Sequence, residues 1–310
     1  MYERLIPVFL ILLAGVVWRR LQPGGIPVAD IRGVLNSLVI NLLAPALILN
    51  VFLQSEPDLS LLKVPVAGVA VILSGMLVCV LLFGAMEKLG WITRPQAGAL
   101  IMATAFGNGL GAAVPVIEGL YGVADAIRVP MIYDLLATIP IVWTVGVMLI
   151  ARYGADGPPA GAGLVFLKLP PFWTLLIAIG LNLTGVSLPA PVAATISSLG
   201  MAAVPLLLFL VGTTFEITKL KLVLLAIPAL FIKIVGGGAV GYFAATSLGL
   251  SGELLTSTVI TAAAPSIAVG IALSEKYKLD SALFSTVLTL THVGIFYFCT
   301  HFKTAGAYCR

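Results

Sequence analysis

Apolar runs of about 20 residues, separated by short polar or Pro/Gly-rich segments, dominate the hydropathy pattern of this chain. A helix needs roughly 20 apolar residues to cross the ~30 Å hydrocarbon core of a bilayer, and runs of this length are too long for barrel strands. Backbone groups that face lipid must be satisfied internally, so the runs predict membrane-spanning helices. We predict ten spans, at residues 5–21, 34–53, 64–86, 97–120, 126–150, 164–183, 192–214, 221–247, 253–274 and 280–300.

Composition agrees with a membrane chain and excludes several classes of protein. Charged residues make up 10% of the 310 residues and apolar or aromatic residues 60%, whereas soluble domains carry about 25% charged residues. The mean hydropathy of +1.13 excludes a soluble enzyme, a nucleic-acid-binding domain and a disordered chain. The formal charge of +4 reflects no basic patch beyond Arg19 and Arg20, so we expect no nucleic-acid partner.

Residues that could support catalysis or a metal site are scarce. The chain has two histidines, His292 and His301, and three cysteines, with no HExxH or CxxC spacing among them. Gly107, Gly109 and Gly111 lie inside an apolar run and not between a strand and a helix, so they form no phosphate-binding loop. We interpret His292 as a polar packing residue of the last span. The chain is therefore predicted not to be an enzyme and to bind no cofactor.

The distribution of basic residues predicts how the chain is oriented. Eleven of the seventeen Lys and Arg residues fall in the odd-numbered loops, five lie at the two ends or in even-numbered loops, and Lys233 lies inside a span. The positive-inside rule then places the odd loops in the cytoplasm and both termini outside. Trp18, Trp91 and Trp173 fall near the same cytoplasmic face, as an aromatic belt requires. Short loops favour the cell membrane, plasma or inner, as the location.

The middle of the chain divides it into two halves with five predicted spans each. A Gly/Pro-rich linker at residues 154–163 separates a first repeat, 1–153, from a second, 164–310. An odd number of spans per half inserts the second half upside down, and such inverted repeats are typical of transporters. Matched features at offsets of 150 to 163 residues support the repeat: Pro45 with Pro205, Pro65 with Pro228, Pro115 with Pro265, and segment 121–125 with 277–280.

The fourth and ninth spans carry the strongest signals for interrupted helices. Three glycines and Pro115 weaken the fourth span around Asn108, and Pro265 followed by Ser266 interrupts the ninth. Two facing half-helix N-termini near the midplane would favour an anionic ligand. A packing kink that tolerates Gly and Pro is the alternative for the fourth span. The expected substrate-binding residues are Gly107, Asn108, Gly109, Pro115, Pro265 and Ser266.

Two ionisable residues lie inside predicted spans, where a charge is costly and usually functional. Asp134 lies in the first half of the fifth span and Lys233 near the middle of the eighth. Both are candidates for coupling, Asp134 as a carrier of a proton or cation and Lys233 as the partner of an anion or a substitute for a coupling cation. The alternatives are a satisfied polar contact at the outer vestibule for Asp134 and snorkelling to the cytoplasmic headgroups for Lys233.

Along its whole length the chain resembles the auxin efflux carrier family, which includes bacterial malate and malonate carriers and plant PIN-type auxin exporters. The resemblance rests on residues 6–9 with Gly15, on residues 45–47, on the spacing of seven from Asn108 to Pro115, and most specifically on Pro265-Ser266 followed by Leu-Ser-Glu-Lys-Tyr at 273–277. It implies an all-α integral membrane fold with ten transmembrane helices, arranged as two inverted five-helix repeats with broken, crossing helices 4 and 9. It also implies that both termini lie outside and that two chains pair as a homodimer.

Two positions depart from the pattern of that family. Many bacterial members have Asn-Thr-Gly in the fourth span, where this chain has Asn108-Gly109-Leu110. They often carry an asparagine four residues after the proline of the ninth span, where this chain has Val269. A polar contact at the second broken helix is therefore expected to be missing, and the substrate to differ from the family's dicarboxylates or to be less polar.

The resulting prediction is a secondary active transporter that moves a small organic anion, auxin-like or a dicarboxylate, across the bilayer in the direction of efflux. By resemblance, the region around spans 4 and 9 moves as an elevator against a scaffold of spans 1, 2, 6 and 7. One alternative is a sodium-coupled organic-anion symporter of the bile-acid type, although no carboxylate lies within five residues of Pro265. The other is a non-transporting membrane sensor.

Overall fold

The computed structural model of the chain describes residues 2–54, 58–121, 127–154, 167–186, 188–215 and 220–302. Within these residues the regular secondary structure is helical, with one isolated antiparallel bridge. Each predicted span corresponds to one helix or to a pair of helices, and residues 155–163 of the predicted linker lie outside the described residues. The helices are α1 (Tyr2–Leu21), α2 (Val28–Leu53), α3 (Leu59–Lys88), α4 (Arg94–Ala105), α5 (Val114–Tyr121), α6 (Arg128–Ala151), α7 (Pro170–Thr184), α8 (Ala190–Thr214), α9 (Leu220–Ser247), α10 (Gly252–Ala262), α11 (Gly270–Lys276) and α12 (Ser281–Phe302).

The surface of the helices is apolar, as a membrane requires. Five helices, α2, α3, α6, α8 and α9, are long and apolar enough to cross a bilayer. Large side chains such as Leu81 and Phe243 are exposed on outward faces, which is costly in water and favourable in lipid. Trp18, Trp91 and Trp173, the residues of the predicted aromatic belt, are also exposed. The chain is therefore built as a multi-pass membrane protein.

Helices α1, α2, α7 and α8 pack mainly on one another and form a first group of helices. Gly15 of α1 faces Gly212 of α8, and a Cβ on Gly15 would lie 2.9 Å from the Gly212 Cα. Gly200 of α8 faces α2, where an added Cβ would lie 2.9 Å from the Cα of Leu47. Small residues at these crossings let the backbones approach closely, which is how helices associate in a membrane.

Helices α3, α4, α6, α9, α10 and α12 form a second group, with α4 at its centre. A capping box between Thr93 and Gln96 starts α4. All of its residues from 97 to 105 are buried, and most are small. Gly68 of α3 similarly leaves room for the ring of Tyr133 on α6, which an added Cβ would approach to 3.1 Å. This close packing fixes the end of α4, where the site begins.

The fourth span is interrupted between α4 and α5, and the ninth between α10 and α11. Phe106 has the extended φ/ψ of −110° and 129°, and the chain turns helical again at a π turn, Gly109–Ala113, that leads into α5. The break therefore lies at residues 106–108, at the Asn108 around which the sequence predicts a weakened helix, and Pro115 itself lies within α5. The π turn directly before Pro115 widens the helix and accommodates the proline ring and its missing N–H.

Candidate functional site

The two helix breaks lie side by side and are joined by backbone hydrogen bonds. An antiparallel bridge pairs Gly107 with Ser266. Its hydrogen bonds run from the Asn108 N–H to the Pro265 carbonyl, at 2.7 Å, and from the Ile267 N–H to the Phe106 carbonyl, at 3.1 Å. The two breaks thus satisfy part of each other's backbone hydrogen-bonding groups, as interrupted helices of a membrane protein require. The structure brings together five of the six predicted substrate-binding residues, and only Pro115 lies farther along its helix.

Ser266 stabilises this crossing through side-chain contacts. Its hydroxyl donates to the Ala103 carbonyl at the end of α4, at 2.6 Å. Its N–H donates to the hydroxyl of Thr291 on α12, at 3.2 Å. Ser266 is fully buried, and its hydroxyl hydrogen is already used. It therefore holds α4, α10 and α12 together at the crossing.

The two intramembrane charges converge on the break of the fourth span. A Cβ added to Gly107 would lie 3.1 Å from the Nζ of Lys233, and a Cβ added to Gly109 would lie 3.0 Å from each carboxylate oxygen of Asp134. Lys233 and Asp134 are both 5% exposed. The absence of side chains at positions 107 and 109 leaves room for the ammonium and the carboxylate. A cation and an anion thus approach the chain on either side of Asn108.

Asp134 binds the start of the second half of the fourth span. One carboxylate oxygen accepts the Leu110 N–H at 2.9 Å, and the other accepts the Thr138 hydroxyl at 3.1 Å. A carboxylate at a helix N-terminus is stabilised by the exposed N–H groups and the helix dipole. Asp134 therefore places its own carboxylate at one of the two half-helix N-termini where the sequence predicts an anionic ligand, and its described polar contacts lie at the break.

Asn108 caps the same half-helix and keeps its amide donors available. Its Oδ1 accepts the Gly111 N–H at 3.0 Å, which fixes the orientation of the amide because an N–H must meet an oxygen. Its Nδ2 makes no hydrogen bond to a described residue, and the side chain is half-buried. The amide group therefore presents two N–H donors at the break.

Lys233 is a buried cation whose ammonium has no ion pair or hydrogen bond among the described residues. It lies in a π turn, Ile232–Gly236, of α9. Its Nζ points to Gly107 and the crossing, so the side chain does not extend to the headgroups. The Asp134 carboxylate lies beyond the 4.0 Å of an ion pair. The Asp134 carboxylate attracts the ammonium across that distance, but a buried ammonium without a hydrogen bond remains costly.

Several residues of the site were not singled out from the sequence. Thr138 lies four residues after Asp134, a spacing that places the two side chains on one helix face and that could have indicated their contact. Thr261 packs its methyl group where a Gly109 side chain would lie, and Thr291 reaches the crossing from α12. These two residues have no local sequence signal, because their contacts join distant segments.

Comparisons with known proteins identify a family for the chain. A family model described as membrane transport protein matches residues 1–159 and 164–302. The match covers nearly the whole chain and confirms the resemblance to auxin efflux carriers. No curated protein matches the chain. Among the described residues, no group of three or more His, Cys, Asp and Glu side chains could hold a metal ion.

Proposed function

The chain belongs to the membrane transport protein family, and from this premise we propose that it is a secondary active transporter of a small organic anion, auxin-like or a dicarboxylate. The anion binds at the crossing of the two broken spans. It crosses the membrane by elevator-type alternating access, in the direction of efflux. The observation that carries this proposal is the buried ammonium of Lys233, which lies beside Gly107 and has no hydrogen bond or ion pair within 4.0 Å among the described residues.

The chemistry around Gly107 suits a carboxylate. The Lys233 ammonium supplies a positive charge, and the Nδ2 of Asn108 lies on the neighbouring residue with donors available. A carboxylate that accepts hydrogen bonds from both would neutralise the cation and satisfy the amide, and charge-assisted bonds of this kind are the stronger ones. Buried donors without an acceptor are costly, and a bound carboxylate would remove that cost by accepting their hydrogen bonds.

Asp134 and Lys233 together provide a means of coupling. With Asp134 ionised the two side chains are neutral as a pair, and a bound monocarboxylate adds one net negative charge. A proton on Asp134 would cancel that charge, so the proposal favours coupling to protons or no coupling over coupling to sodium. Both oxygens of Asp134, the carboxylate nearest the crossing, already accept hydrogen bonds. A sodium site of the bile-acid type would need further oxygen ligands.

The proposed movement follows the division into two groups of helices. Helices α1, α2, α7 and α8 correspond to predicted spans 1, 2, 6 and 7, and would form the scaffold and the contact of a homodimer. The second group would carry the crossing across the membrane. We propose that ten spans form two inverted repeats, 1–153 and 164–310, joined by residues 154–163. Both termini would then lie outside the cell membrane, as the distribution of basic residues predicts.

The first experiment is a solid-supported-membrane recording from purified proteoliposomes challenged with malate, malonate and indole-3-acetate, with and without sodium. A saturable current in the wild-type protein, lost in Lys233→Met and reduced in Asn108→Ala, is the expected result. Lys63→Met is the matched control, because Lys63 lies exposed at the start of α3. Radiolabelled exchange would detect electroneutral transport.

Two results would contradict parts of the proposal. Sodium-dependent current would favour the symporter of the bile-acid type. Absence of current and of exchange for all three acids would contradict a carboxylate carrier and favour the non-transporting sensor.

A further inference from the structure

Helix α12 carries a row of polar side chains, the first and last of which contact the end of α8. Ser285, Thr289 and His292 are spaced by four and three residues, so they share one face of the helix. We name this row the polar stripe. At one end the Ser285 hydroxyl donates to the Thr214 carbonyl of α8, at 3.0 Å. At the other end the ring of His292 lies 5.8 Å from that of Phe215, between centroids. The polar stripe therefore faces the C-terminal end of α8.

The hydrogen bonds of His292 determine the tautomer of its ring. Its Nδ1 lies 2.8 Å from the Leu288 carbonyl of the preceding turn. Because a carbonyl can only accept, Nδ1 carries the hydrogen, and the Nε2 of the neutral ring is an acceptor. The side chain is 1% exposed, and Nε2 is buried with no hydrogen-bond partner among the described residues. A buried acceptor of this kind indicates a missing donor.

His292 is adjacent in sequence to a residue that contacts the crossing, and this places its Nε2 acceptor near the site. The preceding residue, Thr291, accepts the N–H of Ser266 at the bridge between the two breaks. Phe215, on the other side of the ring, packs with the apolar cluster of α1 and α8, which also includes Ala268 of the second break. His292 therefore lies where the second break meets the scaffold helices.

We propose that His292 is a specificity-determining residue, whose Nε2 accepts a hydrogen bond from a hydroxyl or N–H group of the substrate. This inference rests on the proposed function and narrows its substrate class. The substrate is an organic acid that carries a hydrogen-bond donor in addition to its carboxylate. Lys233 and Asn108 bind the carboxylate, and His292 binds the donor. Acids without a donor leave Nε2 unpaired and bind more weakly.

Two pairs of similar acids test this inference in proteoliposomes. Malate carries a hydroxyl that succinate lacks, and indole-3-acetate carries an N–H that 1-naphthaleneacetate lacks. In at least one pair, we expect the wild-type protein to have a KM roughly 5- to 10-fold lower for the acid with the donor than for the acid without it. A factor of this size corresponds to one hydrogen bond. His292→Phe should abolish the preference by weakening the donor-bearing acid alone. His292→Asn, which keeps an acceptor oxygen, should retain part of it.

The control is Thr286→Val on the same helix, because the Thr286 hydroxyl donates to the Ala282 carbonyl of its own helix. It should leave both preferences unchanged. Equal KM values within both pairs in the wild-type protein, or a preference that survives in His292→Phe and His292→Asn, would overturn the inference and leave the proposed function intact. Absence of transport for all four acids would instead contradict the proposed function, and the inference with it.

Discussion

Gly107 and Gly109 are the residues that shape the site, because each leaves the space that a charged side chain fills. They are separated by one residue, Asn108, so an extended chain places them about 7 Å apart. The ammonium of Lys233 and the carboxylate of Asp134 therefore lie close to each other without contact. A substituent at either glycine would displace a charged side chain, and at Gly109 it would also displace the methyl group of Thr261.

Replacing Gly107 by alanine tests this reading of the site. The new methyl group would lie 3.1 Å from the Lys233 Nζ and 3.2 Å from the Ala264 carbonyl, so the ammonium must move away from Asn108. We expect at least a tenfold loss of transport in proteoliposomes, with thermal stability in detergent changed by less than about 1 kcal/mol. Gly75→Ala is the control, since nothing lies within 4 Å of a Cβ there. Full activity of Gly107→Ala would contradict a role for Lys233.

The hydrogen bond from Thr138 to Asp134 provides a second test at the level of single residues. Thr138→Val keeps the shape of the side chain and removes one donor from a buried carboxylate. We expect a loss of stability of about 1–3 kcal/mol, measured by thermal unfolding in detergent. Thr144→Val is the matched control on the same helix, because its hydroxyl donates to the Pro140 carbonyl one turn earlier. Equal melting temperatures for both variants would argue against an ionised, hydrogen-bonded Asp134.

Among the helices, π turns recur immediately before prolines. Those at Val39–Leu43, Gly109–Ala113 and Asp134–Thr138 each end two residues before a proline, namely Pro45, Pro115 and Pro140. In the wider turn the helix needs no hydrogen bond from the proline nitrogen, so it continues past the proline ring. Proline in these spans therefore marks a local widening more often than a break.

The apolar spans could be predicted from the sequence because hydropathy responds to the bilayer alone, although the fourth and ninth spans each form two helices. The region of the first break, around Asn108, could be predicted as well, but the residue at which α4 ends could not, because glycine and proline weaken a helix wherever they occur. The chain opens at Phe106, where the backbone finds partners in the second break, 160 residues away. Pro115 carries the stronger local signal, but it stays helical because the π turn absorbs its defect.

The crossing of α1 and α8 gives a prediction about helix packing. A methyl group at Gly15 would lie 2.9 Å from the Gly212 Cα and from the Thr213 nitrogen, and backbone atoms cannot rotate away. Gly15→Ala should therefore lower stability by about 1–3 kcal/mol, the usual effect of overpacking, as measured by thermal unfolding in detergent. Gly33→Ala, at a position with open space, is expected to change little. Unchanged unfolding of Gly15→Ala would mean that the two helices are farther apart in the protein.

On the scale of the whole molecule, the two groups of helices meet at the C-terminal end of α8. Three consecutive carbonyls there accept hydrogen bonds from three different helices or their ends. Arg32 of α2 donates to Thr213, Ser285 of α12 to Thr214, and Arg19 of α1 to Phe215. Two of these donors belong to the proposed scaffold. The third belongs to the group that carries the crossing, so relative movement must exchange the Ser285 hydrogen bond.

A cross-link at this contact tests whether the two groups move. Thr214→Cys and Ser285→Cys are combined in a chain whose native cysteines are replaced. A short thiol-specific cross-linker would then join α8 to α12, and we expect it to abolish transport reversibly. Phe52→Cys with Asn182→Cys is the control within the proposed scaffold, where the Asn182 amide donates to the Phe52 carbonyl at 2.6 Å. It should cross-link without loss of transport. Transport that continues through a cross-linked α8–α12 pair would contradict the elevator movement.

The sequence identifies residues of the site but does not show how they come together in the folded molecule. Asn108, Gly107 and Gly109 were identifiable from the sequence because they form one local motif. Asp134 and Lys233 were identifiable as costly charges, but nothing in the sequence places them on either side of Asn108. Their convergence follows from the packing of α6 and α9 around the break, which is a property of the tertiary fold.

The polar stripe of α12 has a consequence for the size of the movement. Ser285 and Thr289 both carry hydroxyls and are one helical turn apart, a rise of about 5.4 Å. If α12 slides along α8 by one turn, the Thr289 hydroxyl arrives where Ser285 now meets the Thr214 carbonyl. The hydrogen bond lost at one position is regained at the next, as in one-turn ratchets between packed helices. For this exchange the Thr289 hydroxyl must leave the Ser285 carbonyl, to which it now donates, and we therefore expect the proposed movement to have resting positions about 5.4 Å apart.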